Sequence, residues 1–306
     1  MYTEKLIQLY FDKTILITGG TGFVGKNLQQ RLKSLAKKVV VVGSDVYKDG
    51  LLPNVMLNHK FDYIFHGAAY AGAGDFPLRF PADQFFWNNK IHIDTFDAWK
   101  KYQPQAKLIG LGSSCSYPDK PILSEEDFMS KPLHESVITY GLTKCNMVQG
   151  IEAYKKQYGM KGTTAVFATL YGPHEKFDLD KSHVVAALVK KFCDAVENNE
   201  DIVEIWGDGQ QRRELIFVED QIDGLLLCSQ YDGKLINAGS GVETTIKHLA
   251  ETIKELSGFN GELFYNTEKF VGVKRKVLNI NKAKNLYDWN GGNISLEGGL
   301  MKTILH

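Results

Sequence analysis

The sequence is poor in cysteine, and its four cysteines show no Cys-x-x-Cys spacing. Disulfide frameworks and structural zinc sites are built from numerous or closely spaced cysteines, so neither is expected and no metal site is predicted. Scattered thiols of this kind fit a reducing compartment, and we expect the protein in the cytoplasm. The four positions are Cys115, Cys145, Cys193 and Cys228.

An excess of charge is also missing, because 36 Lys and Arg residues balance 36 Asp and Glu residues. Nucleic acid is therefore not expected as a partner, since proteins that bind it show a basic excess. No segment approaches the ~20 apolar residues of a membrane span, and the charged segment 1–12 has no apolar signal core. We expect a protein without membrane contact, long enough for one large or two modest domains.

Short apolar runs alternate with amphipathic stretches over most of the chain. This alternation predicts an α/β protein with a doubly wound parallel Rossmann sheet and helices on both faces. Strands are predicted at 14–18, 39–42, 63–67, 107–111, 163–170 and 235–239, and helices at 3–10, 25–35, 84–102, 140–158 and 182–198.

Three glycines follow the first predicted strand at a spacing of three residues. Gly19, Gly22 and Gly25 stand between a strand and a helix. Glycines permit a tight turn and a close approach of pyrophosphate to the backbone, and the free N–H groups of the helix N-terminus then face that anion. The pattern predicts a dinucleotide-binding turn formed by these glycines with Phe23 and Val24.

The residues after the second predicted strand normally decide between NAD and NADP. An acidic residue there binds the ribose 2′-hydroxyl, and a basic residue accepts a 2′-phosphate. Ser44 suits either cofactor, whereas Asp45 would repel a 2′-phosphate if its side chain points inward. The cofactor is therefore predicted to be NAD or NADP, with Asp45 favouring NAD; an aspartate merely solvated in a turn is the alternative.

Tyr140 and Lys144 are four residues apart in a predicted helix, so their side chains share one face. A free tyrosine has a pKa of about 10, and a nearby lysine charge favours its phenolate. Such a pair suits proton transfer in a redox step between a carbinol and a carbonyl. Ser113 ends the predicted strand 107–111, at the edge where doubly wound sheets bind ligands, so we expect it to hold a substrate oxygen beside Tyr140.

Longer motifs surround these residues. They are Gly-Ser-Ser-Cys-x-Tyr-Pro at 112–118, Leu-Tyr-Gly-Pro at 170–173, Ser-His-Val at 182–184, Trp-Gly-Asp-Gly at 206–209 and Arg-Arg-Glu at 212–214. With the glycine turn and the Tyr140–Lys144 pair, they resemble the extended short-chain dehydrogenase/reductase family, and within it the GDP-L-fucose synthase group. The resemblance covers nearly the whole chain.

This resemblance implies a role for each matching residue. Ser113 and Tyr140 hold a sugar carbonyl oxygen, and Lys144 lowers the pKa of Tyr140 and binds the nicotinamide ribose. Cys115 and His183 are the base and acid that exchange protons at the carbons flanking the ketone. The remaining contacts implied are Ala68, Ala69 and Asn89 for the cofactor, and Ser114, Lys190, Trp206 and Arg212 for the substrate.

Arg212 and Arg213 are adjacent in an extended segment, so their side chains point to opposite faces. A planar guanidinium binds a diphosphate through two parallel hydrogen bonds. We therefore expect one arginine to bind substrate and the other to form a structural ion pair.

The resemblance also implies a GDP-sugar substrate, a domain organisation and an assembly. The dinucleotide-binding domain is expected at 1–172 and about 216–240. A smaller interleaved lobe, at 173–215 and about 241–306, binds the nucleotide-sugar. A homodimer is expected through helices 84–102 and 140–158.

The chain departs from the family pattern near both ligands. Ala-Tyr-Ala-Gly follows Ala68, Phe-Ala-Thr-Leu at 167–170 lacks the usual asparagine, and the segment 43–60 is short. Two alternatives therefore stay open beside an epimerase/reductase of a GDP-4-keto-6-deoxy sugar. One is an NAD-dependent 4-dehydrogenase or 4-epimerase of another GDP-sugar such as a heptose; the other is a non-catalytic dinucleotide sensor.

Overall fold

The computed structural model describes residues 2–43, 50–72, 76–177, 182–269 and 271–306. The predicted cofactor-selecting residues Ser44 and Asp45 lie outside these described residues. In the described part, helices α1–α11 are Thr3–Tyr10, Phe23–Lys33, Leu51–Asn58, Phe76–Arg79, Pro81–Tyr102, Ile138–Tyr158, Val184–Glu197, Val218–Cys228, Ile246–Ser257, Asn281–Tyr287 and Leu296–Ile304. Strands β1–β13 are Thr14–Thr18, Lys38–Val42, Tyr63–His66, Lys107–Ser113, Ile122–Leu123, Gly162–Phe167, Thr169–Tyr171, Ile202–Trp206, Arg212–Phe217, Leu235–Asn237, Glu243–Thr245, Glu262–Asn266 and Arg275–Leu278.

Six parallel strands form the main sheet, in the order β10-β6-β4-β3-β1-β2. The predicted doubly wound Rossmann fold is confirmed, and the strand predicted at 235–239 does return to this sheet beside β6. The chain enters the sheet at β1, moves outward to β2, crosses back to β3 on the other side of β1, and then continues to β4, β6 and β10. Functional loops at the carboxyl ends of β1, β3 and β4 therefore lie side by side.

Successive residues of β1 pack on opposite faces of this sheet. Ile15 and Ile17 lie in a core shared with α1, α2 and α8, whereas Leu16 lies in a core shared with α3, α5 and α6. Side chains alternate between faces with a period of two, and both faces are covered by helices. This explains why the strand is apolar throughout instead of alternating with polar residues.

A second sheet has the order β11-β9-β13-β5, and β7 also pairs with β9. The strand predicted at 163–170 is in fact two strands, because the chain leaves the main sheet at Ala168 and β7 joins β9. Apolar residues continue across this break, so the hydrophobic pattern did not reveal it. β8 and β12 form a separate parallel pair.

Helices α3, in the segment 43–60, and α8, after β9, are among those that were not predicted. Strand β5, within the predicted dinucleotide domain, pairs with β13 of the second sheet, so the two parts of the chain interleave. The domain boundaries themselves stay a prediction. Among the described residues, no helix combines the length and apolar character that crossing a membrane requires.

Candidate active site

The glycine turn after β1 has the geometry that a dinucleotide needs. Gly19 has φ +73°, a left-handed conformation that glycine adopts without strain, and a Cβ there would lie 2.7 Å from the Ala68 nitrogen. A Cβ on Gly25 would lie 2.2 Å from the Gly19 oxygen. Gly22 is the N-cap residue of α2, and it has no side chain that could bond to the helix end. The first N–H groups of that helix are therefore available to a pyrophosphate.

The loop after β3 forms the neighbouring wall. The Ala68 N–H donates to Thr18 Oγ1 at 3.3 Å, which ties the ends of β1 and β3 together. Asn88 of α5 is fully buried and holds Tyr70 by two hydrogen bonds, to its backbone N–H at 2.8 Å and its carbonyl at 3.0 Å. The residues present therefore fit a dinucleotide along the ends of β1 and β3.

Asn89, the predicted cofactor contact, is not the residue that faces this loop. Its side chain accepts a hydrogen bond from Asn146 at 2.9 Å and donates to the Phe85 carbonyl, both on the exposed side of α5 and α6. One residue along a helix turns the side chain by about 100°, so Asn88 points inward to the loop after β3. The cofactor contact at Asn89 stays a prediction.

The serine–cysteine loop is a short 3-10 turn at the end of β4. Ser113 Oγ accepts the Cys115 N–H at 3.1 Å, and Ser114 begins the turn. Gly141 follows Tyr140 in α6, and a Cβ there would lie 2.3 Å from the Cys115 carbonyl oxygen. Glycine at this position lets α6 approach the loop closely, and the structure thereby brings Ser113, Cys115 and Tyr140 together.

Lys144 is almost completely buried one turn after Tyr140. Its ammonium donates to the Leu111 carbonyl at 2.8 Å and lies 5.8 Å from the centre of the Tyr140 ring. Burial lowers the pKa of Lys144 to about 8. Burial also raises the pKa of Tyr140 above its usual value, with a smaller contribution from Cys115. The expected lowering of the Tyr140 pKa by Lys144 is not found, because desolvation by burial is the largest influence on the phenol.

Cys115 has a partner that no local motif indicated. Lys276 of β13 places its ammonium 3.4 Å from Cys115 Sγ, where it can donate a hydrogen bond to the sulfur. The two residues are 161 positions apart, and the second sheet brings them together. All four cysteines are free, and Cys145 and Cys228 are buried, as packing residues often are.

His183 is the residue immediately before α7 and caps it with φ −65° and ψ 161°. Its side chain keeps exposed surface, yet desolvation by the surrounding protein lowers the pKa of its imidazole. Within the described ranges, no hydrogen bond joins His183 to the group around Cys115.

Lys190 and Lys191 are neighbours on α7 with different surroundings. Lys190 forms an ion pair with Asp194 at 2.9 Å on the outer side of the helix. Lys191 donates to the Glu204 carbonyl at 2.8 Å, and its ammonium lies 5.4 Å from the centre of the Trp206 ring. Trp206 remains 47% exposed, and the structure places Lys191, not Lys190, against its ring. The substrate contacts at Lys190 and Trp206 stay predictions.

Arg212 and Arg213 do point in different directions, as expected for neighbours in a strand. Arg212 is half exposed and pairs with Glu243 at 3.1 Å. Arg213 is more buried, and burial lowers its pKa. Its hydrogen bonds in the described part go to the carbonyls of Arg212 and Val271. Arg212 therefore forms an ion pair, and Arg213 has no described carboxylate partner. The substrate contact at Arg212 stays a prediction.

Comparison with known proteins places this site in a family. The family model described as "NAD dependent epimerase/dehydratase family" matches residues 15–239, more than half of the chain and all of the strands of the main sheet. The chain belongs to the NAD dependent epimerase/dehydratase family.

Several family members are similar over their whole length. "Probable GDP-L-fucose synthase 1" of Oryza sativa subsp. japonica is 33% identical over 298 residues, which cover 94% of this chain and 90% of that protein. The solved GDP-mannoheptose C4 reductase of Campylobacter jejuni with NADP bound is 26% identical, with a TM-score of 0.83 over 96% of this chain and 98% of that one. A GDP-6-OMe-4-keto-L-xylo-heptose reductase from C. jejuni is 26% identical, with a TM-score of 0.85 over 95% and 96% of the two chains.

The structure draws attention to four residues outside the predicted site: Asn88, Lys191, Arg213 and Lys276. For the first three the signal in the sequence was ambiguous, because each stands beside an identical residue. We call these adjacent pairs the three doublets. Their inner members are Asn88, Lys191 and Arg213, and their outer members are Asn89, Lys190 and Arg212. Lys276 had no local signal, since only the pairing of β13 with β9 positions it. In the described residues, no cluster of three His, Cys, Asp or Glu side chains could hold a metal ion.

Proposed function

We propose that the protein reduces the C4 carbonyl of a GDP-4-keto-6-deoxy sugar and inverts the carbons beside it. The observation that carries this proposal is the assembly of Ser113, Cys115, Tyr140 and Lys144 at the end of β4, with Lys276 on the cysteine sulfur. The similarity to GDP-L-fucose synthases and to GDP-heptose reductases supports a GDP-sugar as the substrate class.

In the reduction, a bound nicotinamide supplies the hydride to C4. Ser113 and Tyr140 hold the carbonyl oxygen, and Tyr140 gives its proton to the alkoxide that forms. A raised pKa keeps Tyr140 protonated before the reaction, and the Lys144 ammonium supports the negative charge after the proton has left. The free N–H groups at Phe23, Val24 and Gly25 bind the cofactor pyrophosphate, and Ala68, Ala69 and Asn88 line the neighbouring wall.

In the epimerisation, a base removes a proton from the carbon next to the ketone, and the enolate charge moves to the C4 oxygen. The same Ser113 and Tyr140 that hold the carbonyl then hold the enolate. Cys115 acts as the base, with the Lys276 ammonium as hydrogen-bond donor to its sulfur. His183 returns a proton from the opposite face, which inverts the centre. Protons balance, since one is lost from carbon and one is gained.

The diphosphate of the substrate requires cations. Arg213 offers a guanidinium that is already partly desolvated, and Lys191 stands against Trp206. A planar guanidinium binds a diphosphate with two parallel hydrogen bonds. We place the diphosphate between Arg213 and Lys191, with Ser114 and Trp206 as further contacts.

The preference between NAD and NADP belongs to this proposal. Asp45 favours NAD by repelling a 2′-phosphate, whereas the solved C. jejuni C4 reductase carries NADP. We propose NAD as the preferred cofactor of this chain. The ratio of kcat/KM for NADH and NADPH tests it, with the variant Asp45→Asn expected to shift that ratio toward NADPH and an unchanged ratio refuting the role of Asp45.

Reduction at C4 without epimerisation is the second candidate function. It is favoured by the C4 reductase and the 4-keto-heptose reductase among the similar structures. That reaction needs Ser113, Tyr140 and Lys144, but it gives Cys115 and His183 no catalytic role.

Incubation with a GDP-4-keto-6-deoxyhexose in D2O separates the two functions. We expect deuterium at C3 and C5 of the product, and loss of that label in Cys115→Ser with hydride transfer retained. Cys193→Ser, a change of a half-buried cysteine on α7, is the matched control. Reduction without any deuterium uptake in the wild type would establish the simple reductase instead.

We also propose a homodimer in the cytoplasm. α5 and α6 contact each other, and Asn146 bonds to Asn89 across them. Around that bond, Phe85, Phe86, Ile93 and Leu142 are each more than 40% exposed. Apolar side chains in such number on one surface favour an interface. A monomeric mass in light scattering would refute the dimer.

A further inference from the structure

Strand β9 changes its parallel partner at Glu214. Its first two residues pair with β13, whereas residues 215–217 pair with β7. The strand that leaves β9 at this point, β13, carries Lys276, whose ammonium lies 3.4 Å from Cys115 Sγ. The contacts around Glu214 therefore bear on where β13 lies relative to the serine–cysteine loop.

The carboxyl group of Glu214 holds β13 where its pairing with β9 ends. Glu214 is only 3% exposed, and its Oε2 accepts the Leu278 N–H of β13 at 2.6 Å. The N–H groups of β13 on either side of Leu278 donate to the carbonyls of residues 121 and 123, in the β5 segment. The β5 segment thus holds one edge of β13, and the Glu214 carboxyl group holds the other.

The second oxygen of this carboxyl group reaches the turn that follows β10 of the main sheet. Glu214 Oε1 accepts the Gly241 N–H at 2.8 Å and the Ser240 hydroxyl at 3.4 Å. A Cβ on Gly239 would lie 2.1 Å from the same oxygen, so a glycine is needed there to admit the carboxyl group. One buried side chain therefore joins the end of the main sheet to the strand that bears Lys276.

Burial of a carboxylate is costly unless hydrogen-bond donors replace its hydration, and Glu214 has donors on both oxygens. We propose that Glu214 is a positioning residue for Lys276: by holding β13 to the main sheet, it keeps the ammonium on the Cys115 sulfur. This inference rests on the proposed function only for its effect on catalysis. A role in stability alone would leave the contact between Lys276 and Cys115 independent of Glu214.

Alkylation of Cys115 by iodoacetamide, followed by mass spectrometry of its peptide, reports this contact without requiring activity. The thiolate is the form that reacts, and Lys276 is the cation beside the sulfur, so Lys276→Met should slow the reaction roughly three- to tenfold. Measurement at pH 8 keeps Glu214 ionised, since burial raises its pKa to about 7. Glu214→Gln offers one acceptor oxygen where the carboxylate offers two, and it should slow the reaction severalfold.

The double variant distinguishes positioning from stability. Glu214→Gln should have no further effect on the alkylation rate in the Lys276→Met background, whereas independent effects would multiply. Glu243→Gln is the matched control, because Glu243 lies opposite Glu214 on β11 and its ion pairs are with half-exposed arginines. Such pairs contribute little, so the rate should change by less than about twofold.

Two results would overturn the inference: equal rates in wild type and Glu214→Gln, or effects that multiply in the double variant. Circular dichroism shows whether each variant folds. Glu214→Asp keeps the charge but is shorter by one methylene, and it should show the same coupling to Lys276 if the glutamine variant fails to fold.

Deuterium uptake from D2O gives the second readout. Glu214→Gln should lower the exchange at C3 and C5 severalfold, while hydride transfer at saturating substrate stays close to wild type, because Lys276 contacts Cys115 and not Tyr140. Equal losses in both steps would count against a role through Lys276. Absence of exchange in the wild type would instead refute the proposed epimerisation, and the alkylation rates would still decide the role of Glu214.

Discussion

The edge of the main sheet and the surface formed by α7, β8 and β9 hold their functional side chains in different ways. At the sheet edge, backbone contacts fix each residue: Gly19 lies against Ala68, Ser113 accepts the Cys115 N–H, and Lys144 donates to a carbonyl. On the α7 surface, charged residues stand in adjacent pairs, and one member of each pair forms the shorter ion pair with a carboxylate.

This difference decides which residues are free to bind a ligand. At the edge of the main sheet, topology determines where the functional side chains lie, because parallel strands end at the same side of the sheet. On the α7 surface, the ion pairs Lys190–Asp194 and Arg212–Glu243 hold the outer members of two doublets. Of the inner members, Lys191 has a longer ion pair with Glu204 at 3.8 Å, and Arg213 has no carboxylate partner among the described residues. In the substrate region, the ion-pair partner of a charged side chain therefore tells as much about its ability to bind a ligand as the charge itself does.

The largest effect is expected at the sheet edge. Tyr140→Phe removes the proton donor and should lower kcat for the reduction by about 100- to 10,000-fold. Tyr158→Phe, at the exposed end of the same helix, should leave the rate nearly unchanged. Oxidation of the reduced cofactor, followed by absorbance, measures both. Similar losses in the two variants would show that α6, not the phenol, is responsible.

The arginine doublet tests the α7 side of the comparison. Arg213→Ala should lower kcat/KM on the order of 10- to 100-fold, because a charge-assisted contact to the diphosphate contributes roughly 1.5–3 kcal/mol. Arg212→Ala should cost only a few-fold, since an exposed ion pair contributes little. The reverse order would contradict the assignment of Arg213 as the inner member.

Burial of Lys144 predicts how activity depends on pH. Its pKa is lowered to about 8, so the ammonium is present below that value and is lost as pH rises through it. If the reaction needs the charged form, kcat/KM with the cofactor as the varied substrate should fall about tenfold per pH unit above 8. Lys144→Arg keeps a charge at all these pH values and should abolish this fall, even if its overall rate is lower. A wild-type profile that stays flat well above pH 8 would refute the requirement.

The asparagine doublet should differ in stability. Asn88→Ala leaves the N–H and carbonyl of Tyr70 without their partner, and an unsatisfied buried group costs roughly 1–3 kcal/mol. Asn89→Ala lies at the surface and should change the free energy of unfolding by less than about 0.5 kcal/mol. Denaturant unfolding of both variants measures the difference. Equal stabilities would mean that Asn88 is not the inward-facing member.

The smallest effect is expected for the lysine doublet. Lys191→Ala should raise KM by a few-fold to about 30-fold, in the range of a cation near an aromatic ring, roughly 0.5–2 kcal/mol. Lys190→Ala breaks only a surface pair with Asp194 and should be close to wild type. KM values from initial rates compare them, and a larger rise in Lys190→Ala would place the ligand on the outer side of α7.

Much of the sheet and its edge could be predicted from the sequence. Apolar runs such as 14–18 and 107–111 specify strands because both faces are buried, and the glycines and Ser113 follow directly from where those strands end. The break at Ala168 could not be predicted, since a strand that changes sheets remains apolar on both sides of the break. α3 and α8 were missed for lack of a clear helical pattern.

The contacts across long distances in sequence could not be predicted. In each doublet the two side chains are chemically identical, so only the angle of the helix or strand relative to the core selects one of them. Lys276 meets Cys115 because β13 pairs with β9 and β5 in the second sheet. The raised pKa of Tyr140 also needs three-dimensional information, because it arises mainly from burial, and burial depends on packing.

The central claim is that one group at the end of β4 serves both a hydride step at C4 and proton exchange beside it. A paired NMR measurement on the product of a GDP-4-keto-6-deoxyhexose tests it directly. In the first sample, turnover takes place in ordinary water with nicotinamide deuterated at its transferable position. In the second, it takes place in D2O with unlabelled cofactor. The account predicts cofactor deuterium at C4 alone and solvent deuterium at C3 and C5. Label from the cofactor at any other carbon, or no solvent label with full reduction, would contradict it.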